Sequence, residues 1–380
     1  MNQRSYLDYN ATAPLRPEVR KAVTHALSVY GNPSSVHTEG RAARALIEEA
    51  RAKVAALVRA RSEDVIFTSG GTEANALALA AQPGAAWHCY MSAVEHPSVL
   101  SGGRFYRETT TVIPVAADGV IDLGILASEL DKHHLEGWRP FVSVMAANNE
   151  TGALQPVAEA ATIAHSAGGL LHTDAVQAAG RLRLDIGELG ADMLSLSAHK
   201  LGGPKGVGAL VLNDGVSVEP LLKGGGQERR RRAGTENVAG IVGFGVAAEL
   251  AARDVDKAGE IERLRDELER GVLAVAPEAI IFSAEAKRLP NTSCIAVPGV
   301  KAETLVIGLD LAGIAVSSGS ACSSGKVEPS HVLSAMGAPE EIAQGAIRVS
   351  LGFATERDDI EKFLKAFAEL VSRLRPRVAA

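Results

Sequence analysis

The stretch MLSLSAHKLGGPKG at residues 193–206 joins a short apolar strand pattern to a polar turn that is rich in glycine. Helical patterns separate most of the strand-like runs in this chain, and the alternation predicts a mostly parallel sheet covered by helices. Because ligands of open α/β sheets bind beyond the carboxyl ends of the strands, we expect the chemistry in the turns that follow them. The other runs of this kind lie at residues 65–68, 88–92, 111–115, 141–146, 170–173 and 208–212.

The pattern becomes less regular after residue 254. Long helical patterns at 235–253 and 258–275 are followed by isolated strand-like runs at 280–282, 293–297 and 346–350 and by helices at 302–312 and 356–374. We therefore predict an α/β fold with a large domain at residues 12–254. Residues 1–11 together with 255–380 are expected to form a smaller α+β domain. A chain of 380 residues is long enough for both, since a domain typically has ~150 residues.

Charge and composition exclude several classes of protein. Lysine and arginine number 39 against 45 aspartate and glutamate, a net charge of −6, whereas a general nucleic-acid binder has a basic surface. No apolar run reaches the ~18 residues of a membrane span, and the N-terminal MNQRSYLDYN lacks the apolar stretch of a signal peptide. Three scattered cysteines predict neither a disulfide framework nor a metal site. We expect a cytoplasmic protein without metal that binds neither nucleic acid nor membrane.

Two charged residues follow strand-like runs. Asp174 ends the run at 170–173, and Lys200 follows the run at 193–197. A buried charge is costly unless it has a partner or a task. A lysine in such a place commonly forms a Schiff base, and an aspartate can keep a pyridinium nitrogen protonated, which are the two protein groups that pyridoxal phosphate requires. A structural ion pair is the alternative, and Lys205 in the glycine–proline turn is a rival for the lysine role.

The turn FTSGGTE at residues 67–73 predicts an anion site. Its two glycines and small hydroxyl residues place free backbone N–H groups at the start of a helix. Ser197 and His199 lie on one side of a strand end and can also donate to a phosphate. The alternative is a tight turn without a ligand. The chain contains neither GxGxxG nor GxxxxGKS or GxxxxGKT, which counts against a nicotinamide dinucleotide or a P-loop nucleotide.

Three more polar residues lie in or beside strand-like runs. His96, in the motif VEHPS, can stack on a cofactor ring and move protons near neutral pH, although a histidine in a turn is more often a surface residue. Asn149, in NNETG, suits hydrogen bonding to a phenolate or a carboxylate, although such turns are common. Arg348 interrupts an apolar run, and a substrate carboxylate would give its guanidinium a bidentate partner.

Cys322 lies in SSGSACSSG at residues 317–325, where no apolar neighbour would bury it. A polar, exposed loop suits a thiol that must travel and react, so we expect a mobile loop at about residues 317–330. Cys89 and Cys294 lie in apolar runs and are expected to be buried and inert.

Four consecutive arginines at residues 229–232 follow the glycine-rich segment GGGQE. Such a run resembles a nucleic-acid patch, but here it is isolated in an acidic chain. We favour a glycine hinge that is followed by arginines and Thr235, which are placed to bind an anion. A subunit interface is one place where this anion site could lie.

Taken together, these motifs resemble those of the pyridoxal-phosphate cysteine desulfurases, in the aminotransferase class V fold group. The resemblance runs from YLD at residues 6–8 and GNPSSVH at 31–37 through SGGTE, VEH, NNExG, SAHK and GGGQE with RAGT to SSGSACSSG and IRVSLG. It covers essentially all 380 residues, and the combination of SAHK with SSGSACSSG is its most specific part. It implies the pyridoxal-phosphate transferase fold, which is similar to that of aspartate aminotransferase, and a homodimer.

The resemblance also implies roles for single residues. Lys200 would form the Schiff base with pyridoxal phosphate, and Cys322 would take up the sulfur as a persulfide. Asp174 would pair with the pyridine nitrogen, and His96 would stack on the ring as an acid–base group. The extended SSGSAC form is similar to the subgroup with a long, mobile cysteine loop.

Further contacts follow from the same resemblance. Gln177 and Asn149 would lie near the phenolic oxygen of the cofactor, and Arg348, with Asn149 and Asn10, would hold the carboxylate of the substrate. Thr235 would reach the phosphate from the partner subunit. The segment DYNATA at 8–13 departs from the usual family pattern at its second and last positions. The phosphate cradle within one chain would comprise Gly71, Thr72, Ser197 and His199.

The implied activity is removal of sulfur from L-cysteine, which gives L-alanine and a persulfide on Cys322. The sulfur would then pass to a transient acceptor protein, such as an iron–sulfur scaffold, or to another thio-acceptor. Alternatives on the same scaffold are a selenocysteine lyase and another class V aminotransferase or lyase, although transamination needs no mobile cysteine. A nucleotide-binding or RNA-associated module at residues 229–232 is disfavoured by the net charge of −6.

Overall fold

The computed structural model describes residues 4–80, 86–134, 137–318 and 330–374. Cys322 and most of the loop predicted at about 317–330 lie outside the described residues. No helix in the described ranges has the length and apolar character needed to cross a membrane. The same ranges hold no group of three or more histidine, cysteine, aspartate or glutamate side chains suited to a metal ion.

A seven-stranded sheet forms the centre of the described N-terminal part. After β1 (Ser5–Tyr6), its strands in chain order are β2 (Val65–Thr68), β3 (Trp87–Ser92), β4 (Thr110–Ile113), β5 (Arg139–Ser143), β6 (Leu170–Asp174), β7 (Met193–Ser197) and β8 (Gly208–Leu212). Their spatial order is β2–β8–β7–β6–β5–β3–β4. β8 runs antiparallel to both neighbours and the other pairs are parallel, so the prediction of a mostly parallel sheet is confirmed.

Helices cover both faces of this sheet. They are α1 (Pro17–Ala26), α2 (Thr38–Leu57), α3 (Gly71–Ala78), α4 (Pro97–Leu100), α5 (Leu123–His134), α6 (Val157–Ser166) and α7 (Val238–Asp254). Leu194 of β7 packs in a hydrophobic cluster with residues of α2, α6 and α7, whereas its neighbour Met193 packs in another with residues of α3. Because both faces are buried, such strands have near-continuous apolar sequences.

A smaller antiparallel sheet lies in the C-terminal part of the described chain. The strands there are β9 (Ile280–Ile281), β10 (Thr292–Ala296), β11 (Ile314–Ala315), β12 (Ser317–Ser318) and β13 (Ala346–Ser350). The sheet has the order β12–β13–β10–β9, and β11 instead pairs in parallel with β1. The helices are α8 (Ala258–Val275), α9 (Ala302–Leu311), α10 (His331–Ala335), α11 (Glu340–Ala343) and α12 (Arg357–Leu374).

The N-terminal strand joins this C-terminal part, and one hydrophobic cluster holds it there. The cluster contains Leu7 next to β1, Leu268 of α8, and Phe363 and Phe367 of α12. The division into domains at residues 12–254 and at 1–11 with 255–380 stays a prediction.

Three elements end two or more residues earlier than the sequence pattern indicates, and one of them is the strand expected at 111–115, which ends at Ile113. The sequence pattern that starts at Pro17 predicts a helix to about Tyr30. The helix ends at Ala26 instead, because Leu27 and Tyr30 beyond it are 71% and 87% exposed and no packing supports a further turn. The strand expected at 141–146 ends at Ser143, and the chain then leads into the turn at 148–152. Cys89 and Cys294 are free and buried, as predicted.

Candidate active site

A cavity of about 260 Å³ lies where the carboxyl ends of β6 and β7 meet the segment at Asn10 and strand β13. Two predicted site residues are not among those that line it: Cys322 lies outside the described residues, and Thr235 lines a different cavity. The turns after the strands thus meet at one place, as expected for an α/β sheet. The predicted site residues that line the cavity are Asn10, Gly71, Thr72, His96, Asn149, Asp174, Gln177, Ser197, His199, Lys200 and Arg348.

Lys200 lies in the short 3-10 turn that directly follows β7. Its Nζ donates to the backbone carbonyls of Asn10 and Ala11, at 2.5 and 2.9 Å. The carbonyl of Asn10 also accepts from Nε2 of Gln177 at 3.0 Å. These bonds fix the lysine amine at the wall of the cavity. Lys205, the rival for this role, is exposed and does not line the cavity.

Asp174 is the last residue of β6 and is 6% exposed. Its Oδ2 accepts from Nδ2 of Asn75 at 2.7 Å, and its Oδ1 accepts from the backbone N–H of Val176 at 2.9 Å. Asn75 belongs to α3, so this bond ties the carboxylate to the helix that begins at Gly71. A buried carboxylate oriented by two donors can accept a further hydrogen bond from a ring N–H.

His96 caps the N-terminus of α4, where its Nδ1 accepts from the backbone N–H of Ser98 at 3.1 Å. Since Nδ1 is the acceptor, the proton of the neutral ring lies on Nε2. Burial lowers the pKa of His96, the charges of Lys200 and His331 lower it further, and Asp174 opposes the shift. The ring is therefore neutral at pH 7 and has an N–H donor at Nε2.

The turn between β2 and α3 brings backbone N–H groups to the cavity. Gly71 begins α3, and a Cβ added there would lie 3.0 Å from Cγ2 of Val176 and 3.4 Å from Cβ of Ser197. Glycine thus leaves free the space that a side chain would occupy. Unpaired N–H groups at a helix N-terminus next to the Ser197 hydroxyl are suited to a phosphate.

His199 lines the same cavity, beyond the end of β7. Burial lowers its pKa to about 4, and the charges of Lys200 and Lys205 act in the same direction. Its Nδ1 lies 3.2 Å from Oγ1 of Thr12. The imidazole is therefore neutral at pH 7 and can contribute one N–H donor to an anion.

Arg348 in β13 is 2% exposed. Its Nη1 donates to the carbonyl of Asn149 at 3.1 Å, and its Nη2 donates to Oδ1 of Asp8 at 2.9 Å. Its buried Nε has no hydrogen-bond partner among the described residues. Arg348 nevertheless lines the cavity, and the planar, charged guanidinium of an arginine is suited to bind a carboxylate there.

The side chain of Asn10 is committed to other residues of the protein. Its Nδ2 donates to the carbonyl of Asn149 at 3.1 Å and to Oγ1 of Thr292 at 2.9 Å, and its Oδ1 accepts from Asn291 at 3.1 Å. The carbonyl of Asn10, and not its amide, is the group that contacts Lys200. A substrate contact by Asn10 stays a prediction.

Thr235 is exposed and does not lie with the other predicted phosphate contacts of its own chain. Its contribution across a subunit interface stays a prediction. The preceding arginine run is largely bound to the protein itself. Arg232 pairs with Glu73 at 2.9 Å, and Arg229 and Arg231 both donate to the carbonyl of Glu63. Only Arg232 of these three is neutralised by a carboxylate, whereas the other two bond a neutral carbonyl that fixes their position.

Asn75 and Asp8, which bond the predicted site residues Asp174 and Arg348, were not among the predicted site residues. Asn75 lies one helical turn after Gly71, and that spacing is a signal that could have placed it beside the phosphate turn. Asp8 lies in the YLD motif of the resemblance, but no local pattern indicates its pairing, because its partners Arg348 and Ser317 are more than 300 residues away in the chain.

Known proteins resemble this chain over nearly its whole length. The sequence model of the family described as aminotransferase class-V matches residues 5–363. The cysteine desulfurase IscS of Dictyoglomus turgidum is 44% identical, in an alignment that covers 99% of this chain and 96% of that protein. A cysteine desulfurase of Cereibacter sphaeroides is 46% identical, with 98% and 97% covered. Among solved structures, a NifS-like protein from Rickettsia africae matches with a TM-score of 0.89 at 37% identity, over 97% of this chain and 100% of that one.

Proposed function

This chain belongs to the aminotransferase class-V family and is a cysteine desulfurase, and on that premise we propose how its own residues remove sulfur from L-cysteine. The products are L-alanine and a persulfide on Cys322. The observation that carries the proposal is the presence of Lys200, Asp174 and Arg348 around one cavity of about 260 Å³. The amine can bind an aldehyde, the carboxylate can pair with a ring nitrogen, and the guanidinium can bind the carboxylate of a substrate.

Pyridoxal phosphate is the cofactor that fits this cavity. Lys200 would hold its aldehyde carbon, Asp174 its ring nitrogen, and the turn at Gly71 with Ser197 its phosphate. The space left by the missing Cβ of Gly71 and the oriented oxygens of Asp174 support this fit. When bound, the cofactor supplies an electron sink for charge that develops on carbon atoms of the substrate. Further contacts would come from Thr72, His96, Asn149, Gln177 and His199.

Two groups of the chain can move protons beside a bound amino acid. Lys200 can accept and return a proton at Nζ, which its carbonyl partners at Asn10 and Ala11 keep at the cavity wall. His96 can donate from Nε2, because its Nδ1 is occupied by the N–H of Ser98. The lowered pKa of His96 keeps its ring uncharged, so that it does not repel the amines of the lysine and the substrate.

Arg348 would bind the carboxylate of the substrate. Its position in the same cavity as Lys200 supports this role. The amino group of the substrate would then lie toward the lysine. The orientation of the amino acid is thereby set at both ends before the sulfur reacts.

Cys322 is the proposed nucleophile. Its thiolate attacks the sulfur of the substrate, an S–S bond forms, and the C–S bond breaks with its electron pair left on carbon, where a proton completes L-alanine. A thiol or a cluster-assembly acceptor then takes the outer sulfur and restores the Cys322 thiolate. The resemblance of SSGSACSSG to the family motif supports this assignment.

We extend the proposal to the assembly and its location. A homodimer would bring Thr235 of one subunit to the phosphate of the other, and the exposure of Thr235 in the single chain supports this arrangement. The free thiols of Cys89 and Cys294 are consistent with a reducing compartment such as the cytoplasm.

Alanine formation from L-cysteine by the protein loaded with pyridoxal phosphate tests the function. The wild type should form alanine and, with dithiothreitol present, sulfide. Cys322→Ser should abolish both products and keep the visible absorbance of the cofactor. Cys89→Ala removes a buried thiol and serves as the matched control, with turnover retained. Undiminished alanine formation by Cys322→Ser would contradict the assigned role.

A further inference from the structure

Asp8 lies beside Arg348, and the function proposed above assigns it no task. Both oxygens of its carboxylate are in use: Oδ1 accepts from Nη2 of Arg348, and Oδ2 accepts from Oγ of Ser317, each at 2.9 Å. The two side chains of the ion pair are 16% and 3% exposed. Because two separate bonds hold the carboxylate, the guanidinium has an anionic partner of fixed orientation.

Asp8 is the carboxylate that balances the charge of Arg348 in the described part of the chain. Glu150 also lies in the field of this arginine, but burial raises its pKa to about 7, although the hydrogen bond from Ser330 and the charge of Arg348 oppose the shift. It is therefore a weaker counter-charge than Asp8 at neutral pH. Tyr6 is uncharged, because burial and then the charge of Asp8 raise its pKa to about 12.

The guanidinium is aligned before any ligand arrives. Nη2 is held by Asp8 and Nη1 by the carbonyl of Asn149, while the buried Nε is left with an unused donor. The strand that carries Ser317 pairs with β13 so that Ser317 lies directly opposite Arg348. The bond from Ser317 therefore gives the carboxylate of Asp8 a second anchor in addition to its bond with Arg348.

We propose that Asp8 is a positioning residue that aims Arg348 at the carboxylate of the amino acid and also limits how tightly that carboxylate is held. The inference rests on the proposed function, which assigns the carboxylate to Arg348. Orientation comes from the two hydrogen bonds of Asp8. The limit comes from repulsion, because the carboxylates of Asp8 and of the ligand share one guanidinium. Weaker ground-state binding favours release of the product without a loss of orientation.

Two substitutions separate these effects. Asp8→Asn keeps an oxygen for Arg348 and a polar group for Ser317 but removes the negative charge, so affinity for an amino-acid carboxylate should rise about three- to tenfold. Asp8→Ala removes the orienting bonds as well, so affinity should fall about tenfold. A purely structural residue would lower the melting temperature on truncation and leave ligand affinity unchanged in the asparagine variant.

The probe is L-alanine, which carries the amine and carboxylate of the substrate without its thiol. It is titrated into the purified holoenzyme, and binding is followed by the visible absorbance of the cofactor. L-Alaninamide, which lacks the carboxylate, is the matched ligand and should bind equally to the wild type and to Asp8→Asn. Asp310→Asn, which removes one charge from the exposed ion pair with Arg4, is the matched protein control and should bind both ligands as the wild type does.

The sign of the change decides the outcome. Tighter binding of L-alanine by Asp8→Asn, with unchanged binding of L-alaninamide, supports the proposal even if Asp8→Ala fails to fold. Unchanged or weaker binding by Asp8→Asn overturns it, as does an equal change for both ligands. If the wild-type holoenzyme responds to neither ligand, the proposed function itself is refuted. If the wild type responds and the variants bind as it does, only the proposal for Asp8 is refuted.

Discussion

Two buried arginines of this molecule, Arg51 and Arg348, each face a carboxylate but use it differently. Arg51 donates from Nη1 and Nη2 to the two oxygens of Glu228 at 2.7 and 2.8 Å. Its Nη1 also bonds the carbonyl of Val65 and its Nε bonds Glu48. Arg348 makes one bond to its carboxylate and keeps a buried Nε without a partner among the described residues.

The difference separates a group that holds the fold from a group that is ready for a ligand. Arg51 connects α2, β2 and the turn that contains Glu228, and the carboxylate of Glu228 also accepts from the backbone N–H of Phe67. Every nitrogen of this guanidinium is satisfied within the protein. Arg348 lines the cavity that also contains Lys200, and its guanidinium makes fewer bonds within the protein than that of Arg51.

The sharpest test of this contrast is Arg348→Gln. Loss of a charged partner for a buried carboxylate is worth about 2–5 kcal/mol, so kcat/KM for L-cysteine should fall roughly 1,000-fold. The free energy of unfolding should change much less, because the remaining partner Asp8 keeps access to water. Steady-state kinetics and urea unfolding measure the two quantities. A variant with kcat/KM within threefold of the wild type would remove Arg348 from the site.

Arg51→Gln should show the opposite behaviour. Breaking a buried pair leaves Glu228 uncompensated, and the free energy of unfolding should fall by about 3–4 kcal/mol. Molecules that stay folded should keep kcat/KM within about threefold of the wild type, when rates are normalised to bound cofactor. Unchanged stability would mean that the pair does not hold the fold.

His172 is a buried imidazole whose two ring nitrogens both have hydrogen-bond partners, and it makes the stability of the fold depend on pH. His172 lies between the hydroxyls of Ser143 and Ser195, at 2.8 and 2.9 Å, and burial lowers its pKa to about 4, with Asp174 opposing. The unfolded state therefore takes up this proton first as the pH falls. His172 makes its full contribution to the free energy of unfolding above about pH 6.5. That contribution falls by about 2–3 kcal/mol as the pH decreases toward 4.

The dependence can be isolated by substitution. Unfolding free energies of the wild type and of His172→Gln, measured between pH 7 and pH 4, should differ in slope, with the flatter profile in the variant. Equal slopes would show that His172 does not titrate in this way.

The smallest expected change in the free energy of unfolding comes from a substitution in the turn that contains Glu228. Arg230 has a φ of 66°, in the left-handed region that non-glycine residues adopt at a cost of about 1–2 kcal/mol. Since glycine also raises the entropy of the unfolded chain, Arg230→Gly should stabilise the protein by about 0.5–1 kcal/mol in urea unfolding. Arg231→Gly is the matched control, because Arg231 has a φ of −87° and should lose stability instead. If both substitutions destabilise the protein, the backbone of Arg230 is not strained.

Local patterns were sufficient to predict one half of the site. Asp174, Ser197 and Lys200 each follow or end a strand that the sequence marks clearly, and the glycines at 70–71 mark the turn before α3. The orientation of β8 was not evident from the alternation of elements. Only ten residues separate Ser197 from Gly208, which is too short for the crossover that a parallel neighbour requires, so the strand returns antiparallel.

The other half depends on long-range pairing. Asp8 and Arg348 are 340 residues apart, and they meet because Asp8 forms an isolated bridge with Ser350 while Ser317 pairs with Arg348. Strands of two residues such as β1 and β12 have no hydrophobic period that a sequence could display. The carboxylate partner of Arg348 was therefore beyond a reading of local motifs.

The central claim is that Lys200, at the end of β7, holds the aldehyde cofactor in this cavity. Borohydride reduction of the protein loaded with pyridoxal phosphate, followed by proteolysis and mass spectrometry, tests it directly, since reduction fixes the cofactor to the lysine that carries it. We expect a pyridoxyl group on Lys200 and its loss in Lys200→Ala. A label on Lys205, or no label on a protein with full visible absorbance, would show that Lys200 does not hold the cofactor.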